Sequence, residues 1–100
     1  MSHLPRVQFF SSNPNLDEGF FWATQQARKY IKQNSAVGLW YEAALPGRNA
    51  FCMRDTAHQQ VGAAVLGLSS HTVNMLQHFA RSISASRQWC GHWEIDQDGL

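Results

Sequence analysis

Long apolar runs are missing from this 100-residue chain. None approaches the roughly 18 apolar residues of a membrane span, and the opening Met1-Ser2-His3-Leu4-Pro5-Arg6 has no apolar core of signal-peptide length. Charge of one sign is missing as well. Eight Lys and Arg stand interspersed with seven Asp and Glu, for a formal charge of +1. That balance supplies neither a basic field for nucleic acid or an anionic membrane nor an acidic tail, so no nucleic-acid or membrane partner is expected. Cysteine is scarce: Cys52 and Cys90 lie far apart with no Cys-x-x-Cys spacing, and nothing marks an oxidising compartment. Localisation stays open between a cytosolic protein and one whose targeting segment lies outside this sequence.

What the chain does have is aromatic residues. Four Trp, six Phe and two Tyr, with 44% hydrophobic and 15% charged residues, are the opposite of a disordered composition. A chain this short forms one small domain with little interior, so its aromatics cannot all be core. Some must line a groove or an interface, or belong to a core completed by residues outside this sequence. The end of the chain favours the last option. Trp93-Glu94-Ile95-Asp96 alternates like half a strand pair and runs into Asp98-Gly99, a hairpin-turn signal, with only Leu100 beyond it. The expectation is a domain truncated at its C-terminal end.

Asn15 with Glu18 three residues on resembles a capping box, and Asp17 and Glu18 suit a first helical turn. Leu16, Phe20, Ala23, Ala27, Tyr30 and Ile31 then recur at spacings of three and four, predicting an amphipathic helix over about 16–34. Residues 35–53 hold Gly38, Pro46 and Gly47 and read as a long loop with at most a short strand at Val37–Tyr41. Asp55 or Thr56 is expected to cap a second helix, with Gln59 following and Ala57, Val61, Ala64, Val65 and Leu68 as its inner stripe; Gly67 ends it. Ser69-Ser70 is a second capping signal. Val73, Leu76, Phe79, Ala80 and Ile83 give a third helix over about 71–86, forming a helical hairpin with the second. Trp89-Cys90-Gly91-His92-Trp93-Glu94 is an aromatic stretch with strand character.

Arg54-Asp55 stands out for chemistry. Asp55 may be read as a plain helix cap beside an arginine; alternatively, a two-pronged donor and a carboxylate fixed at a helix start can grip neighbouring hydroxyls of a sugar. Both readings can hold together. Trp40, Tyr41, Trp89 and Trp93 fall off the helical stripes, where flat rings suit the apolar faces of sugars or plug the ends of a helical array. Trp40 and Trp93 are favoured as sugar-stacking rings because Glu42 and Glu94 follow them closely. His71 and His78 share a helix face and Cys90-x-His92 adds two possible ligands, but the spacing fits no standard zinc pattern, and no metal site is assigned. His78 is expected on a helix surface and His58 in a first turn, hydrogen-bonded near Asp55. For a Cys-His nucleophile there is only the presence of both residue types.

Two resemblances emerge. Val61 to Val73 resembles the helix-turn-helix of response-regulator DNA-binding domains through its Leu66-Gly67-Leu68-Ser69 turn and Thr72-Val73, although His71–Ser86 carries only Arg81 to anchor phosphate. A broader one rests on Phe51-Cys52-Met53-Arg54-Asp55-Thr56-Ala57-His58-Gln59, Gly62-Ala63, Leu66-Gly67-Leu68, Asn74-Met75-Leu76, Phe79-Ala80, Ser86-Arg87-Gln88-Trp89-Cys90 and Trp93-Glu94-Ile95. Together these are similar to bacterial six-hairpin glycosidases, glucoamylase-related enzymes with an (α/α)6 barrel. Such barrels carry aromatic-x-Arg-Asp at a helix start; here Phe51 stands three residues before Arg54.

The resemblance implies a mainly α fold forming part of an (α/α)6 toroid, with about three helices, aromatic loops and a short strand. Residues 1–100 would be a partial glycosidase catalytic domain. It implies hydrolysis of glycosidic bonds without a cofactor, a carbohydrate substrate, and the remainder of the same catalytic domain as partner. Arg54 and Asp55 would bind sugar hydroxyls, with Trp40, Trp93 and His58 also contacting substrate. Such enzymes use two carboxyl groups. Glu94 beside Trp93 is the catalytic candidate, with Asp96 behind it and a solvated strand position as the alternative for each, and at least one carboxyl group is expected beyond Leu100. A small helix-turn-helix DNA-binding module and a helical protein-interaction domain are the alternatives.

Overall fold

A computed structural model of the chain describes residues 7–34, 36–42 and 47–99. The opening Met1-to-Arg6 segment, Pro46 and Leu100, on which expectations were placed above, lie outside the described residues. Helix α1 spans Pro14–Arg28. Asn13 caps it, in place of Asn15: its Oδ1 accepts the Asn15 N–H at 2.9 Å. Pro14 follows in the first turn, where its missing N–H has no helical partner to lose. The helix stops at Arg28, short of residue 34, because Tyr30 and Ile31 turn into a strand. Strand β1, Ile31–Asn34, pairs antiparallel with β2, Gly38–Tyr41, in the register Ile31↔Tyr41 to Asn34↔Gly38. Asn34 Oδ1 closes the turn by accepting the Ala36 and Val37 N–H groups. Gly38 leaves it at φ +79°, a conformation that L side chains avoid.

The expected loop therefore holds a hairpin strand, and also β3, Ala50–Cys52, which runs directly into α2, Met53–Val65. A Schellman motif ends α2: the Leu68 N–H donates to the Ala63 carbonyl and the Gly67 N–H to Ala64, with Gly67 at φ +82°. Helix α3 follows at Ser69–Arg81, shorter than the predicted 71–86, and neither Ser69 nor Ser70 caps it. After a 3-10 turn at Ala85–Arg87, strand β4, Glu94–Asp96, pairs antiparallel with β3 as Ala50↔Asp96, Phe51↔Ile95 and Cys52↔Glu94. The strand expected to lack a partner thus finds one earlier in the chain. The fold is mainly helical, with two small antiparallel strand pairs.

Phe51 sits at the centre of the core. Its ring lies 5.5 Å from Trp40 and 5.3 Å edge-on from Phe79, and Met75 is fully buried nearby. Helix α3 holds the β1–β2 hairpin by polar contacts: Tyr41 Oη meets Thr72 Oγ1 at 2.6 Å, Asn74 Nδ2 donates to the Val37 and Leu39 carbonyls, and His78 Nε2 lies 3.0 Å from the Val37 oxygen. His78 is therefore half-buried against the hairpin, where a surface position was expected. Of the stripe predicted as the inner face of α2, Leu68 reaches the core just past the helix end, but Ala57, Val61, Ala64 and Val65 are exposed, and Thr56 and Ala63 are the buried residues of the helix. On α3, Val73 and Leu76 are exposed, as is Ile83 just beyond its end, while His71, Thr72, Met75 and Phe79 face the core. No residue of α1 is buried.

Candidate functional site

The start of α2 builds the first site. Strand β3 delivers the chain into the helix at Cys52, an N-cap in extended conformation whose side chain makes no capping bond. Asp55 is therefore not the cap. It occupies the third helical position, where the positive end of the helix dipole favours its charge. Antiparallel pairing with β4 brings Trp93 against this turn, and the Met53 N–H donates to the Trp93 carbonyl at 2.9 Å. The result is a cleft of about 220 Å³ lined by Arg48, Cys52, Arg54, Asp55 and Trp93. The Trp93 ring is 70% exposed, Arg54 is exposed and Asp55 half-buried. Among the described residues Arg54 forms no ion pair.

Glu94 stands across the strand pair from Cys52. Its Oε2 accepts hydrogen bonds from Arg48 Nε at 2.9 Å, from Arg48 Nη2, and from Cys52 Sγ at 3.2 Å. The Cys52 and Arg48 donors hold the Glu94 carboxyl below its usual range, and Glu94 in turn raises the Arg48 guanidinium. Burial, followed by the Glu94 contact, pushes the Cys52 thiol up to about 11. An ionised carboxylate suits a base or nucleophile, whereas a general acid needs its pKa raised. A thiol held protonated is a poor nucleophile.

The other expected site residues part ways. Trp40 is 1% exposed: pinning of β2 onto α3 turns its ring into the core, against Phe51, so it cannot stack on a sugar in the cleft. Trp89 is exposed and follows Gln88, both at positive φ, and it lines neither cavity described here. No hydrogen bond joins His58 to Asp55 among the described residues. His58 instead lines a second cavity, of about 320 Å³, with Tyr30, Tyr41, Glu42 and Gln59. His71 is buried, whereas Cys90 is exposed; among the described residues no three His, Cys, Asp or Glu side chains gather as a metal site.

Arg48 and Glu42 were missed as site residues. Arg48 follows Gly47 outside any period, and its partner Glu94 reaches it only through the β3–β4 pairing, which no local signal announces. No helix among the described residues is long and apolar enough to cross a membrane. Comparison with protein-family models, with curated proteins and with solved structures finds no match to this chain.

Proposed function

We propose that this chain is the sugar-gripping part of a glycoside hydrolase, built as part of an (α/α)6 toroid. One observation carries the reading: a free arginine fork, a half-buried carboxylate and an exposed indole ring meet in one cleft at an uncapped helix start. Arg54 and Asp55 donate to and accept from neighbouring sugar hydroxyls, and Trp93 covers the apolar face of the ring. Glu94, kept ionised by Cys52 and Arg48, takes the base or nucleophile role, and the proton donor comes from the remainder of the domain. Cover for the outward apolar stripes of α2 and α3 comes from further helices of that same domain. The helix-turn-helix alternative fares worse: the outward face of α3 presents Val73 and Leu76 with Arg81 its lone full cation, which is no phosphate-binding surface.

The test is saccharide binding. Asp55→Asn and Arg54→Lys preserve size and backbone geometry but remove charge-assisted or two-pronged bonds, each worth about 1.5–3 kcal/mol, or roughly ten- to a hundredfold in affinity. Trp93→Ala should weaken binding as well. Asp55→Asn should lower stability by no more than about 0.3–1 kcal/mol, the loss of its helix-dipole interaction, since Asp55 caps nothing. Unaltered saccharide affinity in both Arg54→Lys and Asp55→Asn, or tight salt-sensitive DNA binding by the wild type, would overturn the proposal.

A further inference from the structure

The second cavity is not part of the cleft just described, yet it lies on the same helix. At about 100° per residue, Arg54, His58 and Gly62 follow one another along one side of α2, with Asp55 and Gln59 flanking them. Arg54 and His58 are one turn apart, about 6 Å along the axis. The cleft occupies the first turn of this face and the cavity the next two.

We propose that this cavity is a second saccharide subsite, so that the molecule takes an oligosaccharide with consecutive rings on successive turns of α2. The proposal rests on the carbohydrate reading of the first cleft for its ligand class, while its own evidence is the chemistry of the cavity. Tyr41 has its hydroxyl engaged with Thr72, so what it offers the cavity is its ring, with the half-buried Tyr30 as a second aromatic wall. Glu42 is only 3% exposed. One of its oxygens accepts the Asn49 N–H and the other lies 3.7 Å from Lys32 Nζ. A carboxylate has about four acceptor positions, which leaves capacity for hydroxyl donors. Lys32 already balances its charge, so the pair gives neither an ammonium ligand nor an anion a net charge to bind. Gln59 adds a donor and an acceptor, and His58 a ring nitrogen of either kind.

A neutral ring with an apolar face and hydroxyls that both donate and accept matches that lining. Gly62 completes it. A glycine inside a helix is less stable than alanine by about 1 kcal/mol, yet a Cβ at Gly62 would meet nothing within 4 Å. No neighbour among the described residues requires the missing side chain; open space beside the backbone is what a closely approaching ring uses. At about 320 and 220 Å³, each cavity is near or below the small end of ligand pockets, about 300 Å³, so each suits a single ring.

Amide NMR of the 100-residue chain tests this, titrated with glucose, galactose and mannose, with maltotriose, cellotriose and mannotriose, and with tetramethylammonium and phenol. At least one trisaccharide should shift Tyr30, His58, Gln59 and Gly62 together with Arg54 and Asp55, and bind about tenfold tighter than its monosaccharide. Gly62→Leu should abolish the shifts at Tyr30 and Gln59 and weaken the trisaccharide about tenfold. Gly62→Ala, which favours the helix, guards against loss of fold and should give a smaller loss of the same kind. Val73→Ser, on α3, is the control. Saccharide shifts confined to Arg54, Asp55 and Trp93 would overturn the second subsite and leave the first cleft standing. Shifts at Tyr30 and Gln59 with tetramethylammonium or phenol but with no sugar would overturn it in favour of another ligand class. No response to any saccharide at either place would overturn both.

Discussion

Three buried or half-buried side chains set how this protein responds to pH and to thiol reagents. His71 lies in the first turn of α3, and burial pushes its imidazole below the ordinary 6.5. The unfolded chain takes up that proton at the ordinary value and the folded chain does not, so below about pH 6.5 the unfolded state binds more protons and stability falls. Glu94 adds a second acid loss. Its contribution is present above its ordinary value of 4.5 and disappears as pH drops through the lower folded value set by Cys52 and Arg48. Urea midpoints measured from pH 7.5 to 3 should therefore decline already below 6.5, and His71→Gln should flatten that first decline while leaving the one at lower pH. The two cysteines separate in a different way. Cys90 is exposed, whereas Cys52 is buried with its thiol held protonated up to about 11. At pH 8 an aromatic disulfide reagent should titrate one thiol rapidly and the second only on unfolding; rapid reaction of both would mean that the β3–β4 seam opens readily.

Among the elements, the β1–β2 hairpin depends on α3 more than on its own pairing, since a two-stranded hairpin alone is marginal in water. Asn74 is the main clamp, donating to two carbonyls of the hairpin, and it packs against Gly38, where a Cβ would come within 3.2 Å of its Nδ2. Asn74→Ala should cost about 1–3 kcal/mol by leaving the Leu39 carbonyl unsatisfied and the Val37 carbonyl with the His78 contact alone. Hydrogen exchange should then speed up across residues 31–41 while β3 and β4 keep their protection; uniform loosening of both strand pairs would argue that the clamp is not local. The helices were legible because α1, α2 and α3 carry long periodic patterns and Gly67 punctuates the hairpin. Of the strands, β2 and β4 were visible in the extended Val37–Tyr41 and the alternating Trp93–Asp96, but β1, β3 and the pairings were not, because each strand is only three or four residues long and owes its existence to a distant partner: Ala50 to Asp96, Ile31 to Tyr41. The start of α2 was placed three to four residues late for a related reason. Strand pairing at Cys52 fixes where the helix begins, and the Asp55 capping signal is spent inside the first turn.

For the molecule as a whole, most of the stripes expected inside on α2 and α3 face outward, although Leu68 and Phe79 reach the core, and the reason is physical. Periodicity reveals that a face is apolar, not what covers it. Helix α3 is apolar on two faces, with Met75 and Phe79 inside and Val73, Leu76 and Ala80 outside at spacings of three and four. Helices apolar on more than one side are covered on more than one side. The surface agrees: a monomer of 11.3 kDa exposes about 5,700 Å² by the usual scaling, and this chain exposes 7089 Å². With a formal charge of only +1, little electrostatic repulsion keeps copies apart. The 100-residue chain on its own should therefore associate reversibly through these stripes, its weight-average mass in sedimentation rising with concentration. Leu76→Glu combined with Val65→Glu should shift that curve toward monomer without lowering thermal stability by more than about 0.5 kcal/mol, because both side chains already face water. A strictly monomeric chain with a sharp cooperative transition would mean that the exposed stripes need no cover, and the toroid reading would lose its main physical support.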